Sequence, residues 1–162
     1  MYQQYLQLYI CRMGTIEEAI KQRKFTNTYE KAVVNILYTA SWLDSLNIQQ
    51  LKPFGISPQQ FNVLRILRGS YPNALRLSDI TERMIDKNSN ATRLVEKLRQ
   101  KGLVKREICQ HNRRQVDIWI TQKGLDLLAE LDTLREHFVV RLHGLNEQEV
   151  TQLNQLLDKL RG

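Results

Sequence analysis

The sequence predicts a mostly α-helical protein with one small β-hairpin, an α+β combination. Apolar residues recur every three or four positions along most of the 162-residue chain, as they do on the buried stripe of a helix. Between residues 103 and 120 the period changes to two, which is the period of a β-strand. Residues 83–114 hold ten Lys and Arg against three acids, and the rest of the chain holds 14 of each. The whole net charge of +7 therefore lies around the hairpin.

The first segment is predicted to be an N-terminal arm, residues 1–14, followed by a helical segment, residues 15–52. The arm lacks the basic start and continuous apolar core of a signal peptide, and Met13 is an alternative start. Thr15 and Glu18 have capping-box spacing. The pattern after them predicts one helix to about Asn47, or two helices with a bend near residues 26–28. A helix of this length exceeds the needs of a small core, so we predict that it packs on another subunit.

Two prolines and a glycine within residues 53–58 interrupt the helical pattern and begin a central domain, residues 53–121. The sequence SPQQ at 57–60 combines a cap, a first-turn proline and a third-position glutamine. It predicts a helix that runs to about Arg68. The sequence GSYPNAL that follows is typical of a loop.

Two helices separated by a short turn come after this loop. The first is predicted to be capped by Ser78. The second is predicted over residues 89–101, with Asn88 or Ser89 as its cap and Gly102 as the left-handed residue that ends it. Its apolar positions follow the spacing i, i+3, i+4, i+7 and are Ala91, Leu94, Val95 and Leu98. The opposite side is rich in hydrogen-bond donors and acceptors.

Two strands within residues 103–120 enclose a polar loop whose tip is Arg113 and Arg114. Two guanidinium groups at the end of a hairpin fit a narrow minor groove or a pair of phosphates. Two helices followed by such a hairpin make a winged helix-turn-helix, with a recognition helix at 89–101 and a wing at 103–120. A recognition helix reads base edges in the major groove.

Double-stranded DNA is accordingly the predicted partner, and the concentration of positive charge supports it. The candidate DNA contacts combine the two helix starts, the exposed side of the recognition helix and the wing tip. They are Ser78, Lys87, Asn88, Ser89, Asn90, Thr92, Arg93, Lys97, Arg113 and Arg114.

The C-terminal segment, residues 122–162, is predicted to form two leucine-striped helices. Thr121 caps the first, which runs to Gly144, and Asn146 with Glu149 caps the second. Neither end of the chain has a full core of its own. We therefore predict that the N- and C-terminal dimerisation helices of two copies intertwine in a two-fold homodimer. The alternative is that these helices fold back as an intramolecular bundle.

Three stretches, ISPQQFNVLRIL, LSDITERMIDKNSNATRLVEKLRQKGLVKR and NRRQVDIWITQKG, resemble in order and spacing the MarR (multiple antibiotic resistance regulator) family of bacterial transcription factors. The resemblance covers roughly residues 29–160. It implies a homodimer that places one winged helix-turn-helix on each half of a pseudo-palindromic operator. Many members are repressors released by phenolic or lipophilic ligands or by cysteine oxidation. One departure is Asn112, which stands where the family's wing usually has an Asp before the arginine pair.

The resemblance also implies an effector cleft for a small aromatic or lipophilic molecule. Tyr38, Trp42, Phe54 and Phe61 are candidates to line it, and ordinary core packing is the alternative reading of these aromatics. Cys11 and Cys109 are candidates for a redox switch, with an inert thiol as the alternative.

Several function classes are disfavoured by the sequence. No apolar run approaches the ~20 residues that span a bilayer, and two cysteines do not make a disulfide framework, which favours the cytoplasm. Cys109 and His111 lack the second ligand pair of a zinc site, and neither a cofactor motif nor a catalytic constellation is present, so an enzyme is not expected. Two binding alternatives stay open: a basic face for an acidic protein partner, and sequence-independent DNA compaction.

Overall fold

The computed structural model describes residues 14–108, 116–139 and 144–162, with the backbone alone for 135–139. The described residues form two compact units, one up to Pro58 and one from Gln59 onward. Helices occupy most of both units, and the strands belong to the second. A mostly helical chain with a small sheet is the architecture that the sequence predicts.

The first unit contains helices α1 (Ile16–Ile20) and α2 (Thr28–Leu51), then a short 3-10 helix (Lys52–Phe54). Prediction of a single helix to Asn47 is wrong. Helix α1 ends at Lys21, whose φ of 56° lies in the left-handed region, and α2 begins only seven residues later. The break is therefore wider than a bend at residues 26–28, and it arises where residues 25–28, FTNT, combine low helix propensity with Asn27, which caps the next helix.

Local hydrogen bonds fix both helix starts of the first unit. The Glu18 carboxylate accepts from the Thr15 backbone N–H at 3.2 Å, as the predicted capping box requires. Asn27 is the cap of α2, and its Oδ1 accepts from the Glu30 N–H at 2.9 Å. Glu30 in turn accepts from the Thr26 N–H at 2.6 Å. Hydrogen bonding by the Thr26 side chain, together with this bond from its backbone, lowers the pKa of Glu30.

The second unit contains five more helices or helical segments and three strands. In chain order they are α3 (Pro58–Arg68), β1 (Leu75–Arg76), α4 (Leu77–Arg83), α5 (Ala91–Gln100), β2 (Val104–Ile108), β3 (Val116–Ile120), α6 (Gln122–Val139) and α7 (Glu147–Arg161). Helix α3 begins and ends where the SPQQ start and Arg68 predict. Helix α7 carries the predicted Asn146 cap, whose Oδ1 accepts from the Glu149 N–H at 3.0 Å.

The sheet is antiparallel, with strand order β1-β3-β2. Strands β2 and β3 are those predicted from the period of two, and Val104 pairs with Ile120 at one end of their ladder. Strand β1 lies in the sequence that was expected to be a loop, because Leu75 pairs with Ile118. Two residues are too few to show a strand period, so sequence reasoning misses β1.

The core of the second unit draws on every helix except α7. Side chains with at most 1% of their surface exposed come from α3, α4, α5, β3 and α6; they include Leu64, Leu67, Ile80, Leu98, Ile118, Leu128 and Leu131. The predicted buried stripe of the recognition helix is confirmed at Ala91, Val95 and Leu98, whereas Leu94 is half-buried. The packed stripe leaves the opposite side of α5 to solvent.

Helix α6 is joined closely to the end of α5. Thr121 Oγ1 donates to the Gly102 carbonyl at 2.7 Å and Thr121 N donates to the Leu103 carbonyl at 3.1 Å. Lys123 Nζ donates to the Lys101 carbonyl at 2.9 Å. Thr121 also caps α6 as predicted, since its Oγ1 accepts from the Gly124 N–H at 3.2 Å. The carbonyls of residues 101–103, which directly follow α5, are thus bonded by the cap and first turn of α6.

Among the residues the structure describes, no helix is both long and apolar enough to cross a membrane.

Candidate nucleic-acid interface

The turn between α4 and α5 is built around Asp86. Its carboxylate accepts from the Asn88 N–H at 3.0 Å and from the Ser89 hydroxyl at 2.7 Å, and its carbonyl accepts from the Ser89 N–H at 3.3 Å. A carboxylate that bonds the backbone two residues on forms the Asx turn that often replaces glycine in tight loops. The absence of glycine in this turn is therefore compensated by Asp86.

Asn62 fixes the same turn from α3. Its Oδ1 accepts from the Ile85 N–H at 3.0 Å. Met84, which precedes Ile85, is buried in the core. The turn that leads into the recognition helix is consequently fixed by two residues, Asn62 on α3 and Asp86 in the turn itself. The sequence predicts a turn at Asp86–Asn88, in which Asp and Asn tolerate turn geometry without glycine, but it does not single out Asn62.

The recognition helix begins at Ala91 with Asn90 as its cap. Asn90 Oδ1 accepts from the Arg93 N–H at 2.9 Å. The expectation that Asn88 or Ser89 caps this helix is wrong, because Asp86 holds both residues in the preceding turn. Ser89 already donates its hydroxyl hydrogen to Asp86, so its oxygen can only accept further bonds. Asn90 keeps its amide N–H groups as donors.

Three exposed residues follow on the outer side of α5: Thr92, Arg93 and Lys97. Arg93 and Lys97 are cations, and no carboxylate of the described residues lies within ion-pair distance of either. Helical geometry places Arg93 on the side of α5 opposite the buried stripe. The outer side of α5 therefore presents donors and positive charge to solvent.

Another part of α5 has its charge neutralised. Glu96 accepts from Arg99 Nε at 3.0 Å and Arg99 Nη2 at 2.8 Å, and from Gln100 Nε2 at 3.3 Å. The Arg99 guanidinium lowers the pKa of Glu96, and Glu96 raises the pKa of Arg99 in return. Arg93 and Arg99 therefore differ sharply, although they lie on one helix. The charge of Arg99 is already paired with a carboxylate of the protein itself.

The start of α4 is capped differently from the prediction. The structure places Arg76 at the cap position, and the Asp79 carboxylate accepts from the Arg76 N–H at 3.2 Å. Ser78 lies in the first turn, exposed, with its hydroxyl 3.3 Å from Asp79 Oδ1. The prediction that Ser78 caps the helix is wrong, because β1 extends the chain up to Arg76 and moves the helix start forward. Ser78 stays accessible at that start.

The two residues that flank the recognition-helix turn differ in their contacts. Lys87 is exposed, and its ammonium group donates to the Glu82 carbonyl at the end of α4. Asn88 is exposed, and its side chain points out of the Asx turn that its backbone completes. Both residues lie beside the cap of α5, where negatively charged groups are favoured.

The wing is described up to its strands. On β2, Lys105 pairs with Glu107 at 2.6 Å and lies 5.8 Å from the ring centre of Trp119 on β3. Ile108 is 65% exposed, so the covered face of β2 is limited to its start at Val104. The predicted tip residues, Arg113 and Arg114 together with Asn112, lie outside the described residues, as do the redox candidates Cys11 and Cys109.

The four aromatic candidates for an effector cleft are divided between the units. Tyr38, Trp42 and Phe54 belong to the first unit and Phe61 to the second. All four are half-buried. The Arg65 guanidinium lies 6.0 Å from the centre of the Phe61 ring. The cleft stays a prediction.

Within the described ranges, no three His, Cys, Asp or Glu side chains come close enough together to hold a metal ion.

Comparisons with known proteins agree with this geometry. The model of the MarR family matches residues 56–116, which include α3, the helix-turn-helix and the wing. The HTH-type transcriptional repressor MdtR of Bacillus subtilis is 31% identical over 114 residues, covering 70% of this chain and 72% of that protein.

Two solved structures support the same assignment. A MarR transcription factor from Planctomyces limnophilus has a TM-score of 0.64 and 29% identity, covering 83% of this chain and 98% of that one. Bordetella bronchiseptica BpsR, solved in a study of how 6-hydroxynicotinic acid regulates its DNA binding, has a TM-score of 0.68 and 26% identity, covering 81% and 99%. The chain belongs to the MarR family of winged helix-turn-helix transcription regulators, which bind DNA and are not enzymes.

Proposed function

We propose that this chain is a homodimeric transcriptional repressor of the cytoplasm that binds a pseudo-palindromic operator and is released by a small aromatic or lipophilic effector. The observation that carries the proposal is the outer side of α5. Arg93 and Lys97 are exposed there without a carboxylate partner among the described residues, in the one part of the sequence that carries the net charge. Such a surface is complementary to a polyanion.

Arg93 is assigned to base reading in the major groove. An arginine on the exposed side of a recognition helix can donate two hydrogen bonds to O6 and N7 of guanine. Thr92, one residue earlier, offers a hydroxyl and a methyl group for a neighbouring base. The cap bond from the Arg93 N–H uses one lone pair of the Asn90 oxygen, whereas both amide hydrogens stay available as donors. The expected partner of Asn90 is therefore an acceptor such as purine N7.

The phosphate contacts are assigned to residues around this reading surface. Lys97 lies one turn along α5 from Arg93, where the groove wall is expected. Lys87, Asn88 and Ser78 lie at the two helix starts, whose N–H groups favour anions. Ser89 can accept a hydrogen bond only, so its expected partner is a base amino group and not a phosphate.

The wing-tip arginines, Arg113 and Arg114, are assigned to the adjacent minor groove. A narrow minor groove attracts arginine because its potential is strongly negative. The strands that lead to the tip belong to the same sheet as β1, directly before α4. This connection supports a wing that acts together with the helix-turn-helix.

The apolar faces of α2 and α7 support the homodimer. Tyr29 is 83% exposed and Leu37 is 65% exposed on α2, and Leu160 is 66% exposed on α7. Helix α7 buries none of its residues within the chain. On α7 the exposed apolar residues Val150, Leu153 and Leu160 recur at helical spacing. Exposed apolar stripes of this kind are typical of an interface between subunits.

The effector part of the proposal depends on the aromatic residues and on a relative. Tyr38, Trp42, Phe54 and Phe61 are half-buried, so each still offers a ring surface. The BpsR structure concerns DNA binding regulated by 6-hydroxynicotinic acid, a small aromatic acid. We propose a ligand of that chemical class, which would act by changing the separation of the two recognition helices.

The test compares two arginines of the same helix. A duplex selected from a random pool by the wild-type protein is titrated with wild type, Arg93→Ala and Arg99→Ala, with scrambled duplex as competitor. Loss of a bidentate base contact costs about 1–3 kcal/mol, so Arg93→Ala should lose roughly five- to 150-fold in affinity and relax the preference for one base pair. Arg99→Ala is the matched control and should change affinity by less than about threefold, because Arg99 is paired with Glu96.

The remaining outcomes decide against the proposal. Equal effects of the two substitutions would assign the binding to overall charge and favour sequence-independent compaction. Wild-type protein that selects no duplex would refute DNA reading and direct the search to acidic protein partners. A wild-type salt dependence with a slope near −7 would agree with about eight phosphates neutralised per dimer.

A further inference from the structure

Besides its apolar packing in the core, helix α6 makes polar contacts with the DNA-reading part of the second unit at two separate points. The first is the set of bonds from Thr121 and Lys123 to the carbonyls of residues 101–103, which directly follow α5. The second is an ion pair between Arg68, the last residue of α3, and Asp132 on α6. Thr121 and Asp132 are eleven residues apart, which corresponds to about 16 Å along a helix.

The Arg68–Asp132 pair has the geometry of a fork. Arg68 Nη1 donates to Asp132 Oδ2, and Nη2 lies 3.5 Å from Oδ1. Two parallel contacts fix an angle as well as a distance, which a single contact does not. The side chains are 32% and 46% exposed. An ion pair exposed to this degree contributes little to the free energy of unfolding. Its main effect is therefore to fix the orientation of α6 relative to α3.

Helix α3 transmits this attachment to the front of the recognition helix. Asn62 on α3 accepts from Ile85 in the turn before α5. The route from Asp132 thus runs through Arg68 and α3 to the turn. The other route runs from Thr121 straight to the end of α5. Helix α6 therefore holds both ends of α5, one directly and one through α3.

We propose that Arg68 and Asp132 are positioning residues that set the separation of the two recognition helices on the operator. The inference rests on the proposed function, in which two copies bind two half-sites. With the ion pair broken, α6 keeps the attachment at Thr121 and the apolar packing of Leu128 and Leu131, but it loses the directional contact at Asp132, so it can tilt about its packed side. Each recognition helix then keeps its own surface but loses its fixed direction relative to the dimer helices.

This role predicts a defect in spacing and not in base reading. Half-sites one helical turn apart have centres about 34–36 Å from each other, and one inserted base pair adds roughly 3.4 Å and a tenth of a turn. A stiff α6 penalises that change. A tilting α6 tolerates it, because the recognition helix follows the displaced half-site.

The experiment measures affinity for three duplexes: the selected operator, the operator with one base pair inserted between its half-sites, and a duplex with one half-site. The proteins are wild type, Asp132→Asn, the charge-exchanged double variant Arg68→Asp with Asp132→Arg, and Asp158→Asn. The last is the control, because it breaks an Arg–Asp pair that is more exposed and lies within α7 alone. Thermal unfolding of each variant confirms that it folds.

Asp132→Asn is expected to bind the single half-site as wild type does, within about twofold. Its discrimination against the inserted base pair should fall by about two- to thirtyfold, the range for residues that couple two sites. The charge-exchanged variant should recover part of that discrimination, and Asp158→Asn should retain all of it.

Three results would overturn the inference. One is unchanged discrimination in Asp132→Asn. Another is an equal loss of affinity for all three duplexes, which would show that the pair supports the structure of the DNA-binding domain itself. The third is a wild-type protein that binds the single half-site as tightly as the operator; this result would refute the two-half-site function, and the inference with it.

Discussion

Gly124, in the first turn of α6, provides a test in which two physical effects predict opposite signs. A Cβ added there would lie 2.4 Å from the Leu103 carbonyl oxygen and 2.7 Å from Ile120 Cγ1. The Leu103 carbonyl is backbone and already accepts from Thr121 N at 3.1 Å. Helix propensity alone predicts that alanine stabilises this position, by about 0.5–1 kcal/mol over glycine.

The steric effect should exceed the propensity gain. An ordinary contact requires the Cβ to move by about 1 Å against backbone, and overpacking of this kind costs about 1–3 kcal/mol. Weakening of the Thr121–Leu103 hydrogen bond adds about 1 kcal/mol. We expect Gly124→Ala to lower the free energy of unfolding by about 2 kcal/mol, which lowers the Tm by roughly 4–8 °C for a chain of this size.

The assay is thermal unfolding at one fixed protomer concentration, since a dimer's Tm depends on concentration. Gly69→Ala is the matched control, because its Cβ would meet only the Ile66 and Arg65 carbonyls at 3.5 and 3.6 Å, which is ordinary contact. It should leave the Tm unchanged or raise it slightly. A higher Tm for Gly124→Ala would show that propensity prevails, and it would refute the close approach of α6 to the start of β2.

Three further predictions concern single side chains. Glu96→Gln releases Arg99, so affinity for scrambled DNA should rise and the log–log salt slope should steepen by about one; an unchanged slope would show that Arg99 does not reach a phosphate. Asn90→Ala should lower the free energy of unfolding by about 1 kcal/mol through loss of the cap. Asn90→Asp should keep the Tm, because the carboxylate still caps the helix, but should lose operator affinity. Wild-type affinity in Asn90→Asp would contradict the role of the amide N–H groups. Hydrogen bonds from the Thr26 side chain and then from the Thr26 backbone N–H lower the pKa of Glu30 below its ordinary 4.5. The contribution of Glu30 to stability is therefore present above pH 4.5 and is lost as the pH falls through the lowered value. Glu30→Gln should flatten the fall in Tm at acid pH, and a parallel fall in both proteins would contradict this prediction.

The fold was predictable from the sequence wherever periodicity was long. Helix α3, the strands β2 and β3, and the caps Thr121 and Asn146 are where the patterns place them. Strand β1 could not be predicted because two residues are too few to show a period. Its register comes from pairing with β3, which is distant in sequence. The N-terminal break could not be predicted because residues 21–24 are good helix formers and Phe25 fits the apolar spacing, so only the weak helix formers at 26–28 signalled it.

The candidate interface was predictable as a surface but not in its internal bonds. Charge and helix spacing suffice to choose Arg93 and Lys97. Charge and helix spacing do not show that Arg99 is neutralised by Glu96, because Arg93 and Arg99 both lie on the exposed side of a helical wheel. They also do not show that Asp86 holds Ser89, because side-chain bonds within a turn depend on backbone angles. Such bonds decide which donors are left for DNA.

The cap formed by Asn90 has a consequence for how operator preference can evolve. Asn90 and Ser89 both take part in building the helix start, so a substitution that alters their contact with DNA also disturbs the helix itself. Thr92, Arg93 and Lys97 take part in no such bond through their side chains in the described structure. On the proposed mode of binding, new operators are reached at low cost by changes at these three positions. Related regulators that diverge in target should therefore differ at the equivalents of 92, 93 and 97 before they differ at 89 and 90.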